Sequence, residues 1–188
     1  MAATQHASER IETPYEGTSA ADWDAAWSEG GPIDAPLALH RLTVPRALTD
    51  YNRHLSESSY LLLIGDSADA FFRFIGIDEA YREAGGSLYT AQTHLHHLGE
   101  AREGDDLHLT LRVLDADDRR LHVYHELLAG DELLAAAEQL LVHVDTAAGG
   151  SAPMPDDLRE RVEAVRRAHA DLPAPRLLGK PLGIRRAP

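Results

Sequence analysis

One segment of the chain, residues 59–77, is apolar on nearly every side of a helical projection. Its few polar side chains lie on a narrow strip formed by Asp66, Asp69 and Arg73. A helix with so little polar surface is stable in water only when it is buried on most sides. The rest of the chain must therefore supply a layer that encloses this helix.

Five other stretches alternate apolar and polar residues, which is the pattern of a half-buried β-strand. The clearest is residues 107–113, where Leu and Val alternate with His, Thr and Arg. The predicted strands are residues 37–45, 87–98, 105–114, 119–128 and 133–145. Because the connectors between the last four are short and rich in turn residues, we expect neighbouring strands to pair as an antiparallel meander.

Two segments need a separate argument. Residues 131–141 are rich in Leu, Ala and Glu and favour a helix on intrinsic propensity, but the preceding antiparallel strand requires a partner, so we predict a strand. Residues 155–170 place apolar side chains at helical spacing between an acidic start and a basic end, which predicts a helix.

Together the elements predict an α+β fold, in which an antiparallel five-stranded sheet wraps around one long central helix and a further helix lies at the C-terminal end.

We place the domain formed by the sheet and its helices at residues 36–172. The segments before and after this domain differ from it in composition. Residues 1–35 are polar, contain several Gly and Pro residues and show no period, so they predict an N-terminal arm. Trp23 and Trp27 share one face of a short helical turn in this arm, which predicts docking on the domain or on a partner subunit; the alternative is a disordered leader. Residues 173–188 are rich in proline and predict an irregular tail.

Charge and composition exclude several classes of partner. The formal net charge of −13 repels the phosphates of nucleic acid and of anionic lipid. No segment approaches the ~18 consecutive apolar residues that a membrane-spanning helix needs. The chain contains no cysteine, and its first residues lack the basic and apolar regions of a signal peptide. We therefore expect a cytoplasmic protein that binds neither nucleic acid nor membranes.

A polar loop directly before the central helix is the best candidate for a reaction centre. Asp50, Asn52 and His54 alternate along it, so a carboxylate, an amide and an imidazole share one side of an extended chain. The backbone N–H groups after Ser56 are unpaired donors at the positive end of the helix dipole, and a carboxylate beside such donors suits attack on a carbonyl carbon. The alternative is an Asx turn made by Asp50 and Asn52, with His54 helping to cap the helix.

Several blocks of sequence, in the order of these elements, carry a family resemblance. They are residues 49–52, 65–71, 89–94 with 97–98, and 121–126. The order of the elements, together with residues 50–54 leading into Tyr60 and Leu61, resembles the hot-dog-fold acyl-CoA thioesterases of the 4-hydroxybenzoyl-CoA thioesterase type. Closer still, the four blocks resemble the thioesterase domain fused to bacterial carnitine dehydrogenases, a domain associated with betainyl-CoA hydrolysis, and this similarity covers residues 38–172.

The resemblance implies cofactor-free hydrolysis of an acyl-CoA with a small acyl group, such as a trimethylammonium acyl group, to the free acid and CoA. It implies that Asp50 acts as nucleophile or as general base on water, that Asn52 and His54 orient the water or the thioester, and that the helix N-terminus forms the oxyanion hole. We expect the substrate to contact residues of the loop, the helix start and the second strand: Tyr51, Arg53, Ser56, Tyr60, Thr93 and His94.

A sheet wrapped around a single helix leaves one edge open, and pairing of two such edges is a natural way to cover it. The resemblance likewise implies a homodimer or tetramer with its sites at the subunit interface. In such an assembly, Thr93 or His94 would come from the neighbouring subunit.

Two positions in the loop depart from the family pattern. Relatives usually read Asp-Tyr-Asn-Gly-His-Met-Asn, whereas this chain has Arg53 in place of the glycine and Ser56 in place of the second asparagine. If the glycine position requires a positive φ, arginine is strained there or the loop differs. The arginine also keeps open a second class of function, a non-catalytic acyl-CoA binding module.

A third hypothesis concerns histidine. His94, His96 and Glu100 have the spacing His-x-His-x-x-x-Glu, which resembles the first metal motif of cupins, and histidines at i and i+2 on a strand point the same way and suit Zn or Fe. A cupin needs more strands, a second histidine motif and no central helix. We therefore predict no metal, and we retain a cupin-like metal-dependent enzyme as an alternative.

Overall fold

The computed structural model describes residues 27–184, and its central element is the long helix that the sequence predicts. This helix, α1, spans Glu57–Phe74 and leaves Ile64 and Phe71 with no exposed surface. A short helix, α2 (Glu79–Glu83), follows it, and α3 (Asp156–Ala168) is the predicted C-terminal helix. Within the described range, no helix combines the length and the apolar character needed to cross a membrane.

An antiparallel sheet wraps around α1 and contains the five predicted strands, which are β1 (Leu37–Thr43), β2 (Gly86–His97), β3 (Asp106–Ala116), β4 (Arg120–Ala129) and β5 (Glu132–Asp145). A two-residue strand, β6 (Gly150–Ser151), pairs with the end of β5. The segment whose composition favours a helix forms most of β5, because that strand lies between β4 and β2 and both neighbours bond to it. The predicted α+β hot-dog fold is confirmed.

The order of strands across the sheet is β1-β3-β4-β5-β2. The last three strands of the expected meander are therefore neighbours, but the expected pairing of β2 with β3 is wrong. The first strand, β1, already pairs with β3, with Leu42 opposite Leu107, and β4 covers the other edge of β3. Since β3 has no free edge left, β2 pairs with β5, and no strand within residues 27–184 pairs with the outer edge of β2.

The first described residue of the N-terminal arm, Trp27, packs on the C-terminal end of α1. Its ring meets Phe74 edge-on at a centroid distance of 6.0 Å, and its backbone N–H donates to the Phe74 carbonyl at 3.1 Å. Trp23, the other tryptophan of the predicted docking face, lies outside the described residues. Trp27 and Ile33 of this segment therefore pack, partly buried, against the core around α1.

Candidate functional site

The loop before α1 folds into a tight turn that orients the Asp50 carboxylate. Asp50 N donates to the His54 carbonyl at 2.8 Å, which closes the turn. Asp50 Oδ1 accepts the backbone N–H groups of Asn52 and His54, at 2.8 and 3.1 Å. This is the Asx turn that the sequence allows as an alternative to catalysis. It uses only one carboxylate oxygen, and no residue within 27–184 donates a hydrogen bond to Oδ2, so the turn is compatible with chemistry at Oδ2.

Arg53 lies at the corner of this turn with a φ of 63°. It is the only non-glycine residue with a positive φ in the described part of the chain. The loop therefore has the positive φ that a glycine in the relatives suggests for this position. An arginine in this conformation costs about 1–2 kcal/mol because its Cβ crowds the following carbonyl. The Arg53 side chain is 74% exposed, and its guanidinium lies 3.7 Å from the Glu103 carboxylate.

The start of α1 leaves backbone donors open. Ser56 occupies the N-cap position, but its hydroxyl contacts the Ser59 hydroxyl at 2.7 Å instead of capping a backbone N–H. Ser59 Oγ also donates to the Leu48 carbonyl at 2.9 Å, which ties the helix start to the chain before the loop. Among the described residues, none accepts the N–H groups of Glu57 and Ser58. Two donors therefore stay open at the positive end of the helix dipole.

Tyr60 holds the segment that follows β2 against the helix start. Its hydroxyl donates to the Gly99 carbonyl at 3.0 Å and accepts Ala101 N–H at 3.3 Å, while its ring meets His97 edge-on at 4.9 Å. Burial raises the pKa of the Tyr60 hydroxyl, so the phenol stays neutral. Tyr60 is 4% exposed and its hydroxyl both donates and accepts within the chain, so it positions the segment at residues 99–101, and its substrate contact stays a prediction.

The same segment brings a second carboxylate to the loop. Leu55 N donates to the Ala101 carbonyl at 2.8 Å, and His54 forms a β-bridge with Arg102. These contacts place Glu100 Oε2 3.5 Å from His54 Nδ1. Sequence reasoning missed this pair, because the two residues are far apart in the chain and Glu100 had been grouped with the histidines of β2.

The predicted residues on β2 are not part of this cluster. Thr93 Oγ1 accepts a hydrogen bond from Gln139 at 3.1 Å, and both residues line a cavity of about 700 Å³ that His94 also lines. None of the residues that line this cavity belongs to the loop at 49–56. One chain therefore brings Asp50, Asn52, Arg53, His54, Ser56 and Tyr60 together but leaves Thr93 and His94 apart from them.

The cavity is lined by residues of β2, β3, β4 and β5 and by residues 179–181 of the C-terminal tail. The Glu138 carboxylate at this cavity accepts two hydrogen bonds, one from His122 Nε2 at 2.9 Å and one from Gly179 N at 2.8 Å. These bonds fasten the tail across the sheet, together with a bond of 2.7 Å from Arg112 to the Pro173 carbonyl. The described part of the predicted irregular tail, residues 173–184, is thus without regular secondary structure but attached to the domain.

The fold does not support the cupin-like alternative. His94 and His96 lie ring to ring at 4.4 Å, whereas Glu100 lies beside His54. Within residues 27–184, no three side chains of the metal-binding types are grouped as a metal ion would need. A sheet wrapped around a central helix also differs from a cupin barrel, so this hypothesis is wrong.

Two ionisable side chains are buried farther along α1, one on the helix itself and one on the strand β4 that faces it. Asp66 is 6% exposed, and its pKa is raised to about 7 by burial and, second, by the neighbouring charge of Asp69. His125 on β4 has no exposed surface, lies 3.4 Å from the Ser67 hydroxyl, and has its pKa lowered to about 4 by burial. His125 is therefore neutral at physiological pH. The Asp66 carboxyl, in contrast, loses its proton close to physiological pH.

Comparison with known proteins gives consistent matches. A family model described as the thioesterase-like superfamily matches residues 44–162. The chain is 41% identical over 169 residues to the L-carnitine dehydrogenase/betainyl-CoA thioesterase of Rhizobium meliloti (strain 1021), which covers 87% of this chain. It spans only 34% of that relative's length.

A shorter relative matches over nearly its full length. The chain is 40% identical over 151 residues to the betainyl-CoA thioesterase of Pseudomonas aeruginosa, and the match covers 79% of this chain and 95% of that protein. Among solved structures, a hypothetical protein of Staphylococcus aureus in complex with CoA superimposes with a TM-score of 0.76, at 23% identity, over 82% of this chain and 100% of that one. At this identity the structural likeness concerns the fold.

Proposed function

Because the chain belongs to the thioesterase-like superfamily, we propose that it hydrolyses the thioester bond of an acyl-CoA to give the free acid and CoA. The observation that carries the proposal is the position of Asp50 beside the open start of α1. The N–H groups of Glu57 and Ser58 stabilise the negative oxygen that forms when the carbonyl carbon becomes tetrahedral. Asp50 Oδ2 attacks this carbon directly or takes a proton from the attacking water.

The other residues of the turn face the substrate. Tyr51 is 90% exposed, and Asn52 is also exposed at the tip of the turn, where both can contact the bound acyl-CoA. His54 is half-buried behind them and orients the water or the thioester. Arg53 contributes mainly through its backbone, because its side chain points to Glu103.

We propose a small cationic acyl group, as in betainyl-CoA, as the preferred substrate. The relatives named for betainyl-CoA support this choice. A quaternary ammonium group binds to aromatic faces, and the exposed rings of Tyr51 and Tyr89 offer such faces.

The functional unit is proposed to be a cytoplasmic homodimer joined through the open edges of β2. Tyr89 on this edge is 56% exposed, and Leu61, Leu62 and Leu98 add exposed apolar surface on α1 and after β2. An unpaired edge strand is a template for pairing with a second chain. Pairing would carry β2, with Thr93 and His94, toward the partner's loop.

Ala91 offers a direct test of this dimer. It is the extra residue of a bulge, because Thr90 pairs with Leu141 and Gln92 already pairs with Leu140. Ala91→Pro should therefore obstruct pairing with a second chain at little cost to the β2–β5 ladder. We expect a monomer with low activity in light scattering and kinetic assays, and Ala91→Ser as a control should stay dimeric. A dimeric, active proline variant would contradict the β2 interface.

The activity itself is tested by a thiol-release assay over a panel of acyl-CoAs. We expect the wild type to release CoA, fastest from small cationic acyl groups, and Asp50→Asn to lower kcat/KM by about 10²–10⁴. Asparagine retains the oxygen that makes the turn, so the loss is chemical and not structural. As a control, Asp78→Asn alters a carboxylate that only caps α2, where it accepts Tyr81 N–H at 2.8 Å.

Two outcomes would overturn the proposal. A wild type that binds acyl-CoA but releases no CoA would favour the non-catalytic binding module. Full activity in Asp50→Asn would place the reaction elsewhere. A single turnover in ¹⁸O-labelled water then tests the direct route: ¹⁸O in the Asp50 carboxylate would show an acyl-Asp50 anhydride opened at the aspartyl carbon, because general-base catalysis places ¹⁸O only in the product acid.

A further inference from the structure

We propose that Glu100 is a positioning residue that holds the His54 imidazole so that its Nε2 relays a proton to the sulfur of CoA. This inference rests on the proposed thioesterase function and adds a residue to its site. It follows from the contact of 3.5 Å between His54 Nδ1 and Glu100 Oε2.

Both partners of this pair stand on a fixed backbone. Asp50 holds His54 at its N–H and at its carbonyl, at 3.1 and 2.8 Å. The residues on either side of Glu100 are held by the Tyr60 hydroxyl, through Gly99 O and Ala101 N. The distance of 3.5 Å is longer than a closed hydrogen bond, and such contacts between a base and its orienting group often tighten only when substrate binds.

The carboxylate determines which imidazole nitrogen carries the proton. With Nδ1–H directed at Glu100, the lone pair of Nε2 is free for proton transfer. Over one turnover, the water that supplies the new C–O bond gives up one proton, directly to Nε2 when Asp50 is the nucleophile and through Asp50 to Nε2 when Asp50 is the general base. Nε2 then donates this proton to the sulfur released from the broken C–S bond. Glu100 stays ionised throughout and stabilises the transient imidazolium, so no other reactant is needed.

The exposure of the pair argues against a role in folding. The Glu100 side chain is 72% exposed and that of His54 is 25% exposed. A pair so open to water contributes little to stability. Glu103, on the same segment, provides a matched control, since it makes a similar contact of 3.7 Å with Arg53 and does not touch His54.

The kinetic test compares Glu100→Ala, Glu103→Ala, His54→Gln and the double variant of Glu100 and His54. We expect Glu100→Ala to lower kcat about tenfold with KM unchanged, His54→Gln to lower it about a hundredfold, and Glu103→Ala to have no effect. When His54 is already glutamine, the loss of Glu100 should add nothing. Additive losses, or an equal loss in Glu103→Ala, would overturn the proposal.

A second measurement is independent of activity. In ¹⁵N NMR spectra of the full chain, the neutral His54 ring should carry its proton on Nδ1 in the wild type and in Glu103→Ala, and on Nε2 in Glu100→Ala. If the tautomer is the same in all three proteins, Glu100 does not position the ring. If the tautomer changes as expected but the wild type hydrolyses no acyl-CoA, the pair is real and the proposed function is wrong.

Discussion

The two ends of helix α1 differ in whether the surrounding chain provides hydrogen-bond partners for their free backbone groups. At the C-terminal end, the Phe74 carbonyl accepts Trp27 N–H and the Ile75 carbonyl accepts the Arg161 guanidinium, both at 3.1 Å. At the N-terminal end, the N–H groups of Glu57 and Ser58 have no acceptor within residues 27–184, and the N-cap serine does not cap.

The C-terminal end of α1 therefore contributes to stability, whereas the N-terminal end leaves its donors available for chemistry. A missing N-cap bond costs about 0.5–2 kcal/mol, and a chain selected for stability alone would use Ser56 to provide it. The open donors lie beside the Asp50 turn, where a substrate oxygen can accept them. Changes at the N-terminal end should therefore alter turnover in a folded protein, and changes at the C-terminal end should alter stability with turnover intact.

Among changes at the two ends of α1, the largest effect is expected from Glu57→Pro. Proline is well tolerated at the first position of a helix, and Ser56 already has the extended backbone that precedes proline, with a ψ of 152°. The change removes one open N–H and should lower kcat by about 10²–10³ with little change in Tm. Steady-state kinetics and thermal unfolding check it.

Glu79→Pro is the matched control, since Glu79 is the first residue of α2, far from the loop in sequence. It should leave kcat unchanged. A fully active Glu57→Pro would show that this N–H is not an oxyanion donor and would remove the functional difference between the two helix ends.

Between the two ends, Asp66 should make the stability of α1 depend on pH. Its folded-state pKa of about 7 lies above the ordinary value of an aspartate, so the folded protein holds the proton more tightly and loses stability as pH rises from about 4 to 7. Asp66→Asn should therefore be more stable than the wild type at pH 8, by about 2 kcal/mol, and should lose this advantage near pH 4.

Urea unfolding of both proteins at the two pH values checks this expectation. The lowered pKa values of His125 and His169 weaken the fold as pH falls, but they do so in both proteins and cancel in the difference. An Asp66→Asn variant that is less stable than the wild type at pH 8 would show that the carboxylate has a stabilising partner.

At the C-terminal end, Arg161→Leu should remove the bond to the Ile75 carbonyl. We expect a loss of about 1 kcal/mol in the free energy of unfolding, with kcat unchanged. Arg159→Leu on the same helix is the control, because within residues 27–184 the Arg159 side chain pairs only with the exposed Asp156 and should matter less. Equal effects of the two substitutions in denaturant unfolding would mean that the C-terminal end of α1 does not depend on this bond.

The smallest effect is expected from Arg53→Gly. Glycine relieves the positive φ at the corner of the turn, but it also increases the entropy of the unfolded chain, so we expect a net gain of only about 0.5 kcal/mol. Activity should change less than twofold if the arginine side chain points away from the substrate. A large fall in activity would instead give Arg53 the substrate contact that the sequence predicts.

Much of the fold was predictable because its elements have local signatures. The alternation at residues 107–113 and the all-round apolar character of 59–77 each depend on a few neighbouring residues. The same holds for the turn at Asp50, whose hydrogen bonds join residues no more than four apart. The partner of β2 was predicted wrongly, because proximity in sequence favoured β3 and only the placement of β1 removed that option.

By itself, then, the sequence determined the elements, the family and the loop that carries the proposed carboxylate. Only the tertiary structure decided that β2 pairs with β5, that the Tyr60 hydroxyl is occupied by backbone, and that Glu100 lies beside His54. The physical reason is that periodicity and turn chemistry act over a few residues, whereas these contacts join distant parts of the chain and exist only after the sheet has closed around α1.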